Sequence, residues 1–310
     1  MFLAWREFRK GKRSKTDVQE FELHLEDNIY RMIYELRSGV KRSIQYSQFY
    51  ITDPKPRNIH KTEVGERLIQ RAIYRILMPL FDTTFIYDSY SCRVGKGTHK
   101  ASTRLVEVAR KQSSNYFYPC YSLKCDIKKF FHSVDHQILI KMLAERIDDD
   151  LLMNILEKII KSFESLPGKG MPLGNLTSQL FANIYLDPLD KYIKHKLRVK
   201  YYLRYADDFV IMGNNQNDLK ELIPKIELFL QTKLKLRLRP DKISIRKLTQ
   251  GIDFCGYVVL PHYTVLRTNT KRRMLKRVNA TNLPSYLGLL KHCEGYTLEK
   301  EIRKLTVERV

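Results

Sequence analysis

Two adjacent carboxylates, Asp207 and Asp208, stand between apolar segments in Arg204-Tyr205-Ala206-Asp207-Asp208-Phe209-Val210-Ile211, which reads as a β-hairpin with acids in its turn. Adjacent acids repel, so their surroundings must compensate them. A further acid, Asp126, closes the run Ser122-Leu123-Lys124-Cys125-Asp126 ahead of Ile127-Lys128-Lys129-Phe130-Phe131. If the two strands are neighbours in one sheet, the carboxylates converge where divalent cations fit about 3.5–4 Å apart, as phosphoryl transfer by two metals requires. Magnesium suits such a set, because it takes oxygen ligands and keeps waters and substrate phosphates in its shell. Solvated acids in an ordinary turn are the alternative, since Asp is at home there. Residue type and spacing leave both readings open.

The elements that must position these acids follow from periodicity. Tyr121 to Asp126 is a short strand, residues 135–164 are helical, and 176–198 form a long helix with an apolar face. Segments 200–205 and 209–212 make the hairpin around Ala206 and Asp207, a helix covers 217–232, and strands lie near 243–247 and 253–260. This order predicts an α+β sheet layer of split βαβ character. Upstream, Val18, Phe21, Leu25, Ile29, Met32 and Leu36 recur at three and four, predicting one amphipathic helix opened by a Thr16/Gln19 capping box and stopped by Gly39. Residues 40–60 read as strands and turns, and 62–80 as a helix running into Pro79. The tail, 270–308, reads as helical and basic.

Lys and Arg total 56 against 34 Asp and Glu, a formal net charge of +22 over 310 residues. Such a surplus points to a polyanion, because each phosphate neutralised releases condensed counterions. With 43% hydrophobic residues the chain is globular. No run approaches the roughly 18 apolar residues of a spanning helix, which argues against a membrane, and no secretory leader is evident. Cys92, Cys120, Cys125, Cys255 and Cys293 are odd in number and form no C-x-x-C pair, which favours a reducing cytosol over disulfides or structural zinc. His132 and His136, four apart, lack a third ligand and read as packing or surface residues.

Tyr205-Ala206-Asp207-Asp208 resembles the Y-x-D-D box of reverse transcriptases, and Asp126 with Phe130 and Phe131 is similar to their first palm acid and nucleotide-gating aromatic. Gly170-Met171-Pro172-Leu173-Gly174-Asn175-Leu176-Thr177-Ser178-Gln179, continued by Leu180-Phe181-Ala182-Asn183-Ile184-Tyr185, resembles their third palm block. Phe254-Cys255-Gly256-Tyr257 is similar to the primer-grip turn. The resemblance implies a right-hand polymerase: an N-terminal basic, helical extension (1–40), fingers (41–115), a ferredoxin-like palm carrying YADD (116–265) and a short helical thumb (266–310). The implied activity is RNA-directed DNA synthesis with two Mg²⁺ ions, Mn²⁺ able to substitute, and its ligands would be Asp126, Asp207, Asp208 and the Ile127 carbonyl. The implied partners are template RNA, primer or cDNA, and dNTPs.

Further roles come from the same likeness. Phe131 would be the steric gate against a 2′-hydroxyl, Arg57 with Lys55 would grip the triphosphate, and Lys242 would stand where pyrophosphate is protonated. Gly174 would let the nucleotide approach, and Gln179 would buttress it. Arg93 and Lys96 in a Gly-containing loop, together with Tyr205, Phe254 and Gly256, would meet template or primer. Ser89-Tyr90-Ser91-Cys92-Arg93-Val94-Gly95-Lys96-Gly97-Thr98-His99-Lys100-Ala101 and the block Leu173 to Gln179 resemble, more narrowly, reverse transcriptases of diversity-generating retroelements, which are bacterial or phage-encoded. Leu173 stands where many other reverse transcriptases carry Gln, so contact by shape without a hydrogen bond would weaken discrimination. That branch implies adenine-directed errors and a small basic accessory protein. The rival readings are a group II intron-type or phage-defence reverse transcriptase, and an inactive RNA-binding scaffold on the same fold.

Overall fold

A computed structural model describes residues 1–39, 43–52 and 56–308. Three helices, α1 (Phe2–Phe8), α2 (Thr16–Leu23) and α3 (Leu25–Arg37), precede the antiparallel ribbon β1 (Tyr46–Ile51) and β2 (Arg57–Thr62), then α4 (Val64–Asp82) and α5 (Thr98–Gln112). Next come β3 (Tyr121–Asp126), α6 (Phe130–Ser133), α7 (His136–Ala144), α8 (Asp150–Lys161) and α9 (Leu176–Lys191). The hairpin β4 (Tyr201–Tyr205) and β5 (Asp208–Gly213), helix α10 (Gln216–Leu234) and β6 (Ser244–Lys247) follow. Strands β7 (Ile252–Phe254), β8 (Tyr257–Val259) and β9 (Thr264–Leu266) lead into α11 (Thr268–Arg277), α12 (Leu283–Leu290) and α13 (Tyr296–Glu308).

Contacts divide the chain into two discontinuous units. The first takes Met1–Ile86, Lys128–Asp190 and Phe229–Leu236; the second takes Tyr87–Ile127, Lys191–Leu228 and everything from Arg237. In the second unit the central sheet runs β4-β5-β3-β6, antiparallel throughout, the expected split βαβ plan. Period-two alternation puts Leu123 and Cys125 of β3 on one face with Phe209 and Ile211 of β5, all buried. On the other face Leu203, Val210 and Met212 pack under Leu105, Val108 and Ala109 of α5 and under Ile252, Phe254 and Val259. A further core joins Tyr257 and Leu266 to Met274, Val278, Leu290, Leu298 and Ile302 of the last three helices.

In the first unit α1 buries Ala4, Trp5 and Phe8, with the Trp5 ring 5.2 Å from Phe21. This helix precedes the first one read from periodicity, which began at Thr16.

Several boundaries differ from the sequence reading. The helix expected from Thr16 to Gly39 is two, broken at His24 (φ −120°, ψ 43°), and Lys15, not Thr16, is its N-cap. Pro79 lies inside α4, near its C-terminal end. Residues 135–164 form α7 and α8, each opened by an Asp side chain, Asp135 and Asp149, accepting a backbone N–H. The helix from 176 changes at Tyr192–Lys196 into a π-helical turn. Residues 253–260 belong not to the central sheet but to a separate one, β7-β8-β9, because the two-residue turn at Cys255 and Gly256 folds that stretch back on itself.

Candidate active site

Asp126 and Asp208 are direct partners in the β3–β5 ladder. Opposed residues in an antiparallel pair lie about 4.5–5.5 Å apart at Cα and present their side chains to the same face. Asp207 occupies the two-residue turn between Tyr205 and Asp208, next to Ala206, which takes φ +53°. A positive first turn residue belongs to the hairpin turns whose twist matches that of the strands. The Ile127 N–H donates to the Asp207 carbonyl at 3.2 Å, so the end of β3 is tied to the turn. Beneath it the wholly buried Arg204 donates from Nη1 to the Ala206 carbonyl at 3.1 Å. Arg239 donates its N–H to the Asp126 carbonyl at 2.8 Å.

The face that carries Asp126 and Asp208 is roofed by apolar residues as far as Val210, and the acids begin where that cover ends. Both are half-buried. Burial first, then the Asp208 charge, raises the Asp126 carboxyl above the ordinary Asp range, while Arg239, Lys242 and Lys124 pull it back. Burial pushes the neighbouring Cys125 thiol up to about 12, with Glu227, Asp126 and Asp208 adding to it, so it stays protonated.

Among the described residues no three His, Cys, Asp or Glu side chains already enclose a metal position. The donor set nevertheless fits a hard divalent cation: oxygen ligands only, two carboxylates opposed across one ladder, and a raised carboxyl that a cation would relieve. His132 and His136 are held elsewhere, at 2.9 Å from Ser165 Oγ and 2.8 Å from the Gly170 carbonyl.

Other residues of the second unit cluster about this turn. Asp88 accepts the Arg204 N–H and Tyr90 donates its N–H to the Arg204 carbonyl, laying 88–90 along β4 in a parallel bridge. The Tyr205 hydroxyl is bonded to the Ser91 side chain. Arg93 donates to the Ser89 carbonyl at 3.1 Å. Lys96 lies over the Tyr87 ring at 3.5 Å and donates to the Tyr87 carbonyl, so it also fastens its own loop. Phe254 is fully buried in the core, and the accessible part of its block is the turn Cys255-Gly256, both at positive φ. The Cys255 thiol is raised by burial and then by Asp208, which brings that turn electrostatically to the acids. Lys242 is exposed in a 3₁₀ turn after Arg239.

In the first unit the remaining candidates gather around residues 170–174. Met171 donates its N–H to the Phe131 carbonyl at 2.7 Å and Gly170 to that of Val134 at 2.8 Å. His60 of β2 donates to the Leu173 carbonyl at 3.0 Å. Gly174 takes φ +107°, and a Cβ there would lie 2.7 Å from Ile59 Cγ2, so only glycine fits. Alternation puts Arg57 on the same face of β2 as Ile59. Leu173 and Phe131 are half-buried, Arg57 and Gln179 exposed. Lys55 lies outside the described residues.

Arg204, Arg239 and the pair Asp88–Arg104, at 2.9 Å, had no signal in the sequence. A lone Arg inside a strand or before a proline reads as surface until the fold buries or aims it.

A four-stranded antiparallel sheet with acids opposed at the end of its central pair has the palm plan of the right-hand polymerase fold. Residues 52–259, well over half of the chain, match the reverse transcriptase (RNA-dependent DNA polymerase) family, and the chain belongs to it. It is 25% identical to Protein YkfC of Escherichia coli K12 over 72% of this chain and 68% of that protein. It is 24% identical to the group II intron-encoded protein LtrA of Lactococcus lactis over 80% of this chain and 51% of LtrA. A COX1/OXI3 intron 2 protein of Saccharomyces cerevisiae is 25% identical over 63% of this chain, which spans only 29% of that protein. Among solved structures, telomerase from Candida tropicalis shares the fold at TM-score 0.57 and 12% identity, over 84% of this chain and 56% of the telomerase.

Proposed function

We propose that this chain is an active RNA-directed DNA polymerase that copies a retroelement template RNA into cDNA with errors concentrated at template adenines. The observation that carries the catalytic part is the register placing Asp126 opposite Asp208 with Asp207 clamped in the adjoining turn. Two Mg²⁺ ions, or Mn²⁺ in their place, would be held by Asp126, Asp207, Asp208 and the Ile127 carbonyl, and when bound would lower the pKa of the primer 3′-hydroxyl and neutralise the triphosphate. Arg57 grips the triphosphate as a bidentate donor, with Lys55 as its partner. Phe131 excludes the 2′-hydroxyl, and exposed Lys242 gives a proton to pyrophosphate. Tyr205, the Cys255-Gly256 turn and the Arg93–Thr98 loop hold primer and template backbone. A small basic accessory protein joins template RNA and dNTPs as a partner.

The mutagenic branch rests on Leu173. Its backbone is fixed to His60 and its side chain is half-buried, so an aliphatic group is presented where an amide could have read the base by hydrogen bonding. Likeness to LtrA over most of this chain favours a second reading, an intron-type reverse transcriptase. Sequencing the products of primed RNA extension separates the two: the retroelement reading expects adenine errors that fall at least about tenfold in Leu173→Gln. An even error spectrum, unchanged by that substitution, selects the intron reading.

A further inference from the structure

Within the motif Ser89 to Ala101, Arg93 and Lys96 fasten their own loop, whereas His99, in the first turn of α5, reaches elements far along the chain in the same second unit. Its ring lies 3.9 Å from the His292 ring at 18°, a parallel stack, and its Nδ1 is 3.0 Å from the Tyr257 hydroxyl. Tyr257, on β8, is 2% exposed and directly follows the Cys255-Gly256 turn. Burial, with Cys293 adding to it, pushes the Tyr257 hydroxyl up to about 12, so it keeps its proton and donates to the Leu289 carbonyl of α12 at 3.1 Å. The same oxygen then accepts from His99, which places the imidazole proton on Nδ1.

These bonds join the start of α5 to the Cys255-Gly256 turn and to the C-terminal helices. Tyr257 shares a core with Leu266, Met274, Leu290 and Ile302. Arg267 donates its N–H to the Gly256 carbonyl at 3.0 Å, and Glu294, two residues past His292, donates to the Thr264 carbonyl of β9 at 2.8 Å. A shift of His292 against His99 is therefore passed to the turn.

Burial first, then His292, lowers the His99 ring from its ordinary value. The titratable groups around it are His292 beyond α12, the Tyr257 hydroxyl of β8, the Cys293 thiol acting on that hydroxyl, and Glu294 acting on Cys293. Lys100 and Lys291, the chain neighbours of the two rings, are exposed, and no carboxylate among the described residues shifts His99. Protonation leaves the Nδ1–H bond in place but sets a charge beside a second imidazole, with no anion to balance it.

We propose that His99 is a positioning residue: through Tyr257 and the His292 stack it holds the Cys255-Gly256 turn and α11–α13 against α5, and acid releases that hold. In synthesis, which rests on the polymerase reading, it keeps the extended primer engaged between successive additions. Because the folded chain binds the His99 proton less readily than the unfolded chain does, the hold is complete above the ordinary His value and is lost as pH falls through the lowered one.

The test compares full-chain wild type with His99→Ala, His99→Gln and His292→Phe. Hydrogen exchange of residues 255–266 and 287–294 is followed without nucleic acid at about pH 7.5 and about pH 5.5, either side of the ordinary His value, and corrected for intrinsic rates. Wild type is expected to exchange about tenfold faster there in acid while the β3–β5 ladder is unchanged. His292→Phe keeps a stacked ring without the second charge and is expected to lose most of that rise. At the higher pH His99→Ala exchanges about tenfold faster than wild type, and His99→Gln, which keeps an amide donor for Tyr257, stays within about threefold. On a primed RNA template His99→Ala shortens the products of a single binding event about tenfold, with the rate of first addition within about twofold of wild type. Exchange that follows this pattern in a chain that extends no primer supports the hold and contradicts the polymerase reading. The inference is overturned if wild-type exchange in these segments ignores pH, or if His99→Ala leaves it unchanged. It is overturned equally if His99→Ala slows first addition as much as it shortens products and also unprotects the β3–β5 ladder, since the residue then supports the fold at large.

Discussion

A carboxylate facing another across an antiparallel ladder is held in place by the backbone and cannot relax away, so burial and repulsion fall on its titration. Asp126 shows both, with burial the larger cause. Because the folded chain holds this proton more tightly than the unfolded chain does, the group adds stability below the ordinary carboxyl value, and that contribution is lost as pH rises through the raised value. At neutral pH the metal-free protein therefore carries a cost at Asp126. Asp126→Asn is expected to raise the melting temperature of the metal-free chain by about 1–3 °C while ending dNTP incorporation; a fall in melting temperature would contradict the like-charge account. Phe131→Ala makes a separate expectation. The 170–174 segment is held by the Phe131 carbonyl, not its ring, so trimming the ring leaves the segment attached. Ribonucleotide use relative to dNTP should rise at least about tenfold, measured by competing substrates, and unchanged sugar selectivity would remove the gate assignment.

At the scale of elements, the strands were legible and their sheet membership was not. Tyr121 to Asp126 ended where its apolar alternation ended, and the hairpin around Ala206 was plain from its flanking apolar runs. The stretch 253–260 read as one strand because Phe254 and Tyr257 are both apolar, whereas two positive-φ residues between them reverse the chain. The break at His24 escaped the sequence reading because the apolar periodicity continues across it. The tight turns give expectations of opposite sign. Gly174→Ala needs a left-handed Ala and displaces Ile59, so it is expected to cost about 1–3 kcal/mol in denaturant unfolding. Ala206→Gly removes left-handed strain and is expected to be neutral or stabilising by up to about 1 kcal/mol. A large loss at Ala206→Gly would show that its methyl, not its backbone, supports the turn.

Across the whole molecule, the surplus of +22 was legible from composition alone, but not where it acts. Several cations are engaged within the fold: Arg204 is wholly buried, Arg104 pairs with Asp88, and Lys96 closes its own loop. Reading every Lys and Arg as a phosphate contact therefore overcounts. The remaining basic surface still predicts RNA affinity that falls at least about tenfold between roughly 50 and 200 mM salt, and affinity independent of salt would refute charge as its source. The acids, the hairpin and the Leu173–Gly174 block were identifiable because their chemistry is local, while Arg239 and the pair Asp88–Arg104 gain meaning only from contacts away from their own stretch of chain.

The central claim is that the opposed acids of β3 and β5, with Asp207 in the turn beside them, catalyse nucleotide addition. It is tested most directly by Mg²⁺-dependent dNTP incorporation on a primed RNA template, comparing wild type with Asp207→Asn after both are shown to melt alike and to bind the template equally. The account expects wild type to extend the primer and the variant to fall by at least about a thousandfold. Extension by Asp207→Asn at the wild-type rate would contradict it, as would a folded, RNA-binding wild type that extends nothing even with cognate RNA and an accessory protein supplied.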